Sequence, residues 1–353
     1  MIRYGASHEA IAELLADAGE PRYRVDQVWD ALYRLRIPLD DATTLPAALR
    51  TQLATDLPLA LDEQVRASSR DGLTTKWLWI TATDRAQVET VLMRTPKRAT
   101  VCISSQAGCA MGCTFCATGQ AGFERNLELG EIVEQVLRAA HVSTRPITNV
   151  VYMGMGEPLA NYDAVWSSVE RLHEAARISA RRITISTVGV APAMRRLATE
   201  RLPVTLAVSL HAADDELRNE LVPLNRRYPI AEVLDAAVDV AATRGRRVTF
   251  EYAAIAGVND SLGQADRLAA LLGSWPGRGG VHVNLIPLNP TAGFTGRASS
   301  PARLRAFADR LRTRGVNATV RRNRGTDIDA ACGQLRARAP IPDLPLESST
   351  MEP

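Results

Sequence analysis

Three cysteines, Cys109, Cys113 and Cys116, fall within the stretch GCAMGCTFCATG, residues 108–119. Their spacing is C-x3-C-x2-C, and no fourth cysteine follows nearby. Thiolates at this density repel one another and need a cation. A structural zinc ordinarily takes four protein ligands, often from two C-x2-C knuckles, and only one such pair is present. Cys102 and Cys332 complete the chain's five cysteines, and neither has a Cys or His partner close by. A four-iron cluster held by three thiolates leaves one iron open to a small molecule. The spacing therefore favours an iron–sulfur cluster with a vacant coordination position, with zinc as the alternative.

The elements that must position this loop can be inferred from the hydrophobic pattern. Residues 1–60 read as helices, with Val25, Val28, Trp29, Leu32 and Leu35 at helical spacing. Residues 61–97 read as a β-rich extension, in which TTKWLWIT and QVETVLMR are expected to alternate about the turn TDRAQ. From residue 98 to 337 six apolar β-runs are each followed by a helical run. That pattern calls for an α/β fold with a parallel sheet covered by helices. Six units are too few for a closed eight-stranded barrel, so an open partial barrel is expected. The cysteine loop, GMGEP, STVG, SLHA, AIAGVND and PLNP follow the six β-runs in turn. All are thus expected at the C-terminal ends of the strands, where such folds carry their active sites. Residues 338–353 lack periodicity and are expected to be a disordered tail.

Composition sets wider bounds. The chain has 353 residues, 46% of them apolar, and a net charge of +3. Residues 1–60 hold six arginines and nine acidic residues, a net of −3, whereas residues 301–340 hold ten arginines and three aspartates, a net of +7. A polyanion would be drawn to the second region. No apolar run approaches membrane-spanning length, and the first residues look like an amphipathic helix and not a signal peptide. A soluble, cytoplasmic protein is expected.

With Phe115 before its last cysteine, the cluster pattern resembles the signature of radical S-adenosylmethionine enzymes. The runs VCISSQAGCAMGCTFCATGQAGFERNL, VVYMGMGEPL, SLHAADDELR, LIPLNP and RGTDIDAACGQL, in this order, extend the likeness. Together they resemble the dual-specificity adenine-C2 RNA methyltransferases (RlmN-like), relatives of the adenine-C8 methylating enzymes (Cfr-like). The resemblance implies a partial (β/α)6 radical-SAM barrel with a small helical N-terminal accessory domain that recognises RNA and a β-hairpin linker. It implies a [4Fe-4S] cluster on Cys109, Cys113 and Cys116, and S-adenosyl-L-methionine, two molecules per turnover. Cys332 would carry the methyl group on its sulfur. Cys102 would resolve the enzyme–RNA adduct and leave a disulfide with Cys332, and Glu89 would accept the proton. Gly156, Glu157, Ser186, Ser209, Leu210, His211 and Asn289 match cofactor-binding positions. The implied substrates are 23S rRNA, in a protein-poor or assembling large subunit, and tRNA. The implied electron donor is a flavodoxin or ferredoxin, and the implied form is a monomer. Radical chemistry suits the target, because the C2–H of adenine is neither acidic nor nucleophilic.

Simpler readings stand beside these. Taken alone, Cys102 reads as a buried thiol on a strand and Glu89 as the solvent side of an alternating strand. His211 reads as a satisfied loop histidine, and His8, His141, His173 and His282 as ordinary ones. Arg321, Arg322 and Arg324 either hold phosphates or form a solvated basic face. Two rival functions remain at this stage: adenine-C8 methylation, and a zinc-stabilised RNA-binding protein without catalysis.

Overall fold

The computed structural model describes residues 1–277 and 279–335; the tail expected at 338–353 lies outside the described residues. The chain opens with three helices: α1 (His8–Asp17), α2 (Tyr23–Trp29) and α3 (Ala47–Asp56). Ser7 caps α1, its Oγ accepting from the Ala10 N–H at 3.1 Å, and α1 buries Ile11 and Leu15 one turn apart. A π-helical stretch, Asp30–Leu35, continues α2. These helices lean on the main body through two polar anchors. Arg171 donates to the Ala6 carbonyl at 2.6 Å and the Tyr33 hydroxyl at 2.7 Å, and the Glu134 carboxylate accepts from Ala60 and Leu61 N–H at 2.8 and 3.2 Å.

Strands β1 (Leu61–Ser68), β2 (Thr74–Thr81), β3 (Gln87–Arg94) and β4 (Ala99–Cys102) form an antiparallel meander. A two-stranded ribbon, β5 (Gln106–Gly108) and β6 (Phe123–Asn126), brackets the cysteine loop and the short helix α4 (Ala117–Ala121). Then come α5 (Leu129–Val142), β7 (Asn149–Tyr152), α6 (Tyr162–Glu174), β8 (Ile183–Thr187), α7 (Ala191–Thr199) and β9 (Thr205–Ser209). The chain continues through α8 (Asp215–Leu221), α9 (Ile230–Arg244), β10 (Val248–Ala254), α10 (Leu262–Gly273), β11 (Val281–Pro287), α11 (Pro301–Thr313) and β12 (Ala318–Val320). The six expected strand–helix units are present, and β4, β7, β8, β9, β10 and β11 pair in parallel in that order.

Two features depart from the sequence-based expectation. First, the sheet is a single ten-stranded one running from β1 to β12, so the meander is a direct extension of the parallel part. The short strand β12 adds a further parallel edge, and β1 adds a third antiparallel strand beside the expected hairpin of β2 and β3. Second, β2 does not alternate between core and solvent: all eight of its residues are buried. The Trp79 indole reaches toward α5, donating to Thr90 Oγ1 at 2.9 Å, which in turn donates to Gln135 Oε1 at 2.8 Å. Leu78, Val91 and Cys102 pack instead with Ile328, Ala330 and Leu335 of the C-terminal segment. A strand covered on both sides loses its amphipathic signature.

Candidate active site

The C-terminal ends of the parallel strands surround an open cleft. Cys113, Cys116, Gly156, Glu157, Ser186, Ser209, His211, Asn289 and Cys332 all line it. Thus nine candidate residues from six separate segments meet in one place. Cys109, Leu210, Glu89 and Cys102 are absent from the lining.

The cysteine loop is fixed at both ends. The Cys109 N–H donates to the Gly122 carbonyl at 2.7 Å, and the Cys116 N–H to the Cys113 carbonyl at 3.2 Å. Gly119 permits this turn, since a Cβ there would lie 3.0 Å from the Cys113 nitrogen. Burial, first, and then mutual repulsion with Cys116 and Cys109 hold the Cys113 thiol well above its ordinary pKa; Cys109 is pushed up to about 12, chiefly by burial. Two thiols whose ionisation burial opposes, with Cys116 beside them in the same loop, suit a polynuclear cationic group, which would hold all three as thiolates. Among the described residues no group of three or more His, Cys, Asp or Glu converges closely enough to hold a single metal ion.

Beside the loop, Gly154 and Gly156 let the turn after β7 press on the β4–β5 connection. A Cβ on Gly154 would meet the Ile103 carbonyl at 2.7 Å, and one on Gly156, whose φ is +97°, would meet Gln106 at 2.5 Å. Glu157, 2% exposed, accepts from the Val188 N–H at 2.8 Å and the Leu159 N–H at 3.0 Å. Burial pushes its pKa up to about 7 against these hydrogen bonds. It ties the loop after β8 to the loop after β7, and a carboxylate with two bonds made still has acceptor capacity toward the cleft. Ser186, one residue before the end of β8, and Ser209, the last of β9, have their hydroxyls 3.4 Å apart.

His211 sits in the left-handed region, φ +63°. Its Nδ1 accepts from the Ala253 N–H at 3.0 Å, and its ring meets Phe115 edge-on at 4.8 Å. Burial lowers its pKa to about 3, so it is neutral with the proton on Nε2. The Leu210 side chain is fully buried, and its N–H donates to the Glu251 carbonyl at 3.0 Å; it shapes the loop without facing the cleft. Asn289 Nδ2 donates to the Cys332 carbonyl at 2.9 Å.

Cys332 arrives from the C-terminal segment, which crosses the cleft and is clipped down on several sides. The Ala117 N–H donates to the Gly333 carbonyl at 2.8 Å, Thr118 Oγ1 to the Leu335 carbonyl, the Arg70 N–H to Asp327 at 2.8 Å and Lys76 Nζ to the Asp329 carbonyl at 3.3 Å. Cys332 is exposed, but into a recess walled by protein. That surrounding raises its thiol pKa, while the Arg321 guanidinium pulls it down. Cys102, at the end of β4, is buried and pushed up to about 12, first by desolvation and then by the neighbouring Cys332 charge. The two thiols therefore share one electrostatic environment.

Two sequence-based expectations need correction. Glu89 is not on a solvent face: it is 4% exposed and pairs with Lys76 at 3.0 Å, both side chains buried. Arg321 is no free phosphate ligand; it lines the cleft and pairs with buried Glu251 at 3.2 Å. Arg322 and Arg324 are exposed. Sequence reasoning missed Lys76, Glu251 and Arg218, whose roles depend on contacts distant in the chain.

A helix-covered parallel sheet with a three-cysteine loop after its first strand defines a radical S-adenosylmethionine enzyme, and the family model described as Radical SAM superfamily matches residues 103–269. A protein from Frankia alni named probable dual-specificity RNA methyltransferase RlmN is 55% identical over 335 residues, 90% of this chain and 79% of that protein. One of the same name from Mycobacterium ulcerans is 52% identical, covering 93% of each chain. The crystal structure of a radical SAM methyltransferase from Sphaerobacter thermophilus superposes with a TM-score of 0.89 at 50% identity, over 96% of this chain and 99% of that one. The chain belongs to the RlmN family of dual-specificity RNA methyltransferases, within the radical SAM superfamily. With the family come a [4Fe-4S] cluster and S-adenosylmethionine as cofactors, and the zinc-held, non-catalytic alternative falls. Among the described residues no helix is long and apolar enough to cross a membrane.

Proposed function

We propose that this enzyme methylates C2 of one adenine in the peptidyl-transferase centre of 23S rRNA, and of an adenine in some tRNAs, with Cys332 carrying the methyl group. The observation that carries this reading is the placement of Cys332 in the same cleft as Cys113 and Cys116, within electrostatic reach of buried Cys102. A cluster held by Cys109, Cys113 and Cys116, with two S-adenosylmethionine molecules per turnover, supplies both the methyl group and the one-electron abstraction of hydrogen. Gly156, Glu157, Ser186, Ser209, His211 and Asn289 form the surrounding wall.

The chain's own residues then act in sequence. Cys332, assisted by Arg321, is the sulfur nucleophile that first takes the methyl group. Once its activated carbon has joined the base, the odd electron of the adduct would pass back to the oxidised cluster while Glu89 accepts the C2 proton, and Lys76 balances the carboxylate's charge. The Cys102 thiolate attacks the Cys332 sulfur and breaks its bond to the methylene carbon, which takes up a proton to become the methyl group, freeing the base and leaving a disulfide. The enzyme works as a monomer supplied by a flavodoxin or ferredoxin. Anaerobic reconstitution, turnover on rRNA fragments and tRNA, and nucleoside analysis test the assignment. The expected product is 2-methyladenosine; 8-methyladenosine would place the chain's chemistry at C8.

A further inference from the structure

Arg218 has no place in the scheme above, yet it is the most fully enclosed cation of the site, at 0% exposed. It projects from α8 into the wall behind the cysteine loop. Its guanidinium donates four hydrogen bonds, to the carbonyls of Leu210 (3.0 Å), Val188 (2.6 Å) and Ser209 (3.2 Å) and to Asn225 Oδ1 (2.6 Å). All these acceptors are neutral. Among the described residues no carboxylate pairs with it within 4.0 Å. Asp215, which is exposed, is reached only through the Asn225 amide, at 2.8 Å from Asn225 Nδ2. Burying a guanidinium without a counter-ion is costly, and arginine cannot escape the cost by losing its proton.

The cysteine loop lies across a tight contact from the helix that carries Arg218. The Thr114 N–H of the cysteine loop donates to the Leu221 carbonyl at the end of α8, 3.1 Å away. Leu217, Leu221 and Val222 share one apolar cluster with Cys113 and Phe115. A Cβ on Gly112 would stand 3.9 Å from the Pro223 ring. The helix that carries Arg218 is thus packed directly on the loop that carries the three thiols, and Cys113 and Arg218 feel each other's charge.

We propose that Arg218 is the built-in counter-charge of the cluster site: its guanidinium offsets the negative charge gathered by Cys109, Cys113 and Cys116 and makes the cluster easier to reduce. The inference rests on the assignment of those three thiols to the cluster. A fixed positive charge in a medium of low dielectric stabilises an added electron nearby, and the potentials of such clusters respond to net charge around them. The fan of hydrogen bonds holds Arg218 in place, and it also turns the Val188, Ser209 and Leu210 carbonyls toward the guanidinium.

The test compares reconstituted wild type with Arg218→Met, Arg218→Lys and Asn225→Asp, reading iron content and the cluster midpoint potential by redox titration followed with electron paramagnetic resonance. Asn225→Asp keeps the guanidinium and its carbonyl partners but sets a carboxylate against it. The Met and Asp variants should lower the reduced-to-oxidised ratio at fixed potential at least tenfold, a shift of about 59 mV to more negative values for a one-electron couple. Arg218→Lys should stay closer to wild type. If Met does not take up a cluster, Asn225→Asp decides alone. Unchanged potential in Asn225→Asp with full iron overturns the proposal, as does a Lys variant shifted as far as Met. Full iron in Cys113→Ala would instead remove the three-thiol assignment itself, and the counter-charge with it.

Discussion

The two groups of cysteines are built in opposite ways. Cys109, Cys113 and Cys116 belong to one short loop, braced by its own backbone and by α8, a helix whose buried Arg218 has no carboxylate within 4.0 Å among the described residues. Cys102 and Cys332 come from the first strand of the parallel sheet and from the C-terminal segment, and only the fold brings them together. The cations on their side are already matched, Lys76 by Glu89 at 3.0 Å and Arg321 by Glu251 at 3.2 Å. One side of the cleft thus leaves positive charge available for an anionic group. The other is internally neutral and is suited to thiol and proton chemistry.

Variants that separate the two sides should fail in different ways. Cys332→Ala should abolish methylation while iron content stays at the wild-type level; Cys113→Ala should lose both, as shown by paired iron assay and nucleoside analysis. Equal iron loss in the two would erase the distinction. Cys102→Ala should still form the enzyme–RNA bond but not release it, giving a shifted band on a denaturing gel whose absence would remove Cys102 from the resolving step.

The charge balance on the Cys102 side can be tested by stability. Lys76→Met should cost about 3 kcal/mol in urea unfolding, because it withdraws the ion-pair partner of a buried carboxylate. Much of that loss should return in the double variant with Glu89→Gln, and additive losses would mean the two groups do not act as a pair.

A smaller effect is expected from Glu157. Its pKa is raised from an ordinary carboxylate value of 4.5 to about 7 by burial. The folded state therefore holds its proton more tightly than the unfolded chain, and the stability this contributes is complete below 4.5. It is lost as pH rises through about 7. Glu157→Gln should flatten the stability–pH curve between those values relative to wild type, and an unchanged slope would contradict the burial argument.

Legibility in the sequence followed the range of the contacts. The cysteine loop was readable because its ligands are local. The six strand–helix units were readable because hydrophobic periods of two and 3.6 alternate. The antiparallel extension was only partly readable. LDEQVRAS in β1 is polar enough to pass for a linker, and TTKWLWIT in β2 is covered on both faces by segments distant in the chain. The same reason hid the burial of Glu89: its partner Lys76 and the C-terminal cover are not deducible from alternation along one strand. Arg218, in DELRNEL, looks like any helical surface arginine until α8 is seen against the cysteine loop. The convergence of Cys332 with Cys102 was legible only through family resemblance, since nothing in the spacing links two lone cysteines at such a separation.

The most direct measurement is mass spectrometry of the Cys332 peptide after reconstituted enzyme is incubated with S-adenosylmethionine bearing a trideuterated methyl group. The account predicts that label appears on the Cys332 sulfur before RNA is added and passes to the adenine afterwards. Methylated RNA formed with no label ever found on Cys332 would contradict it.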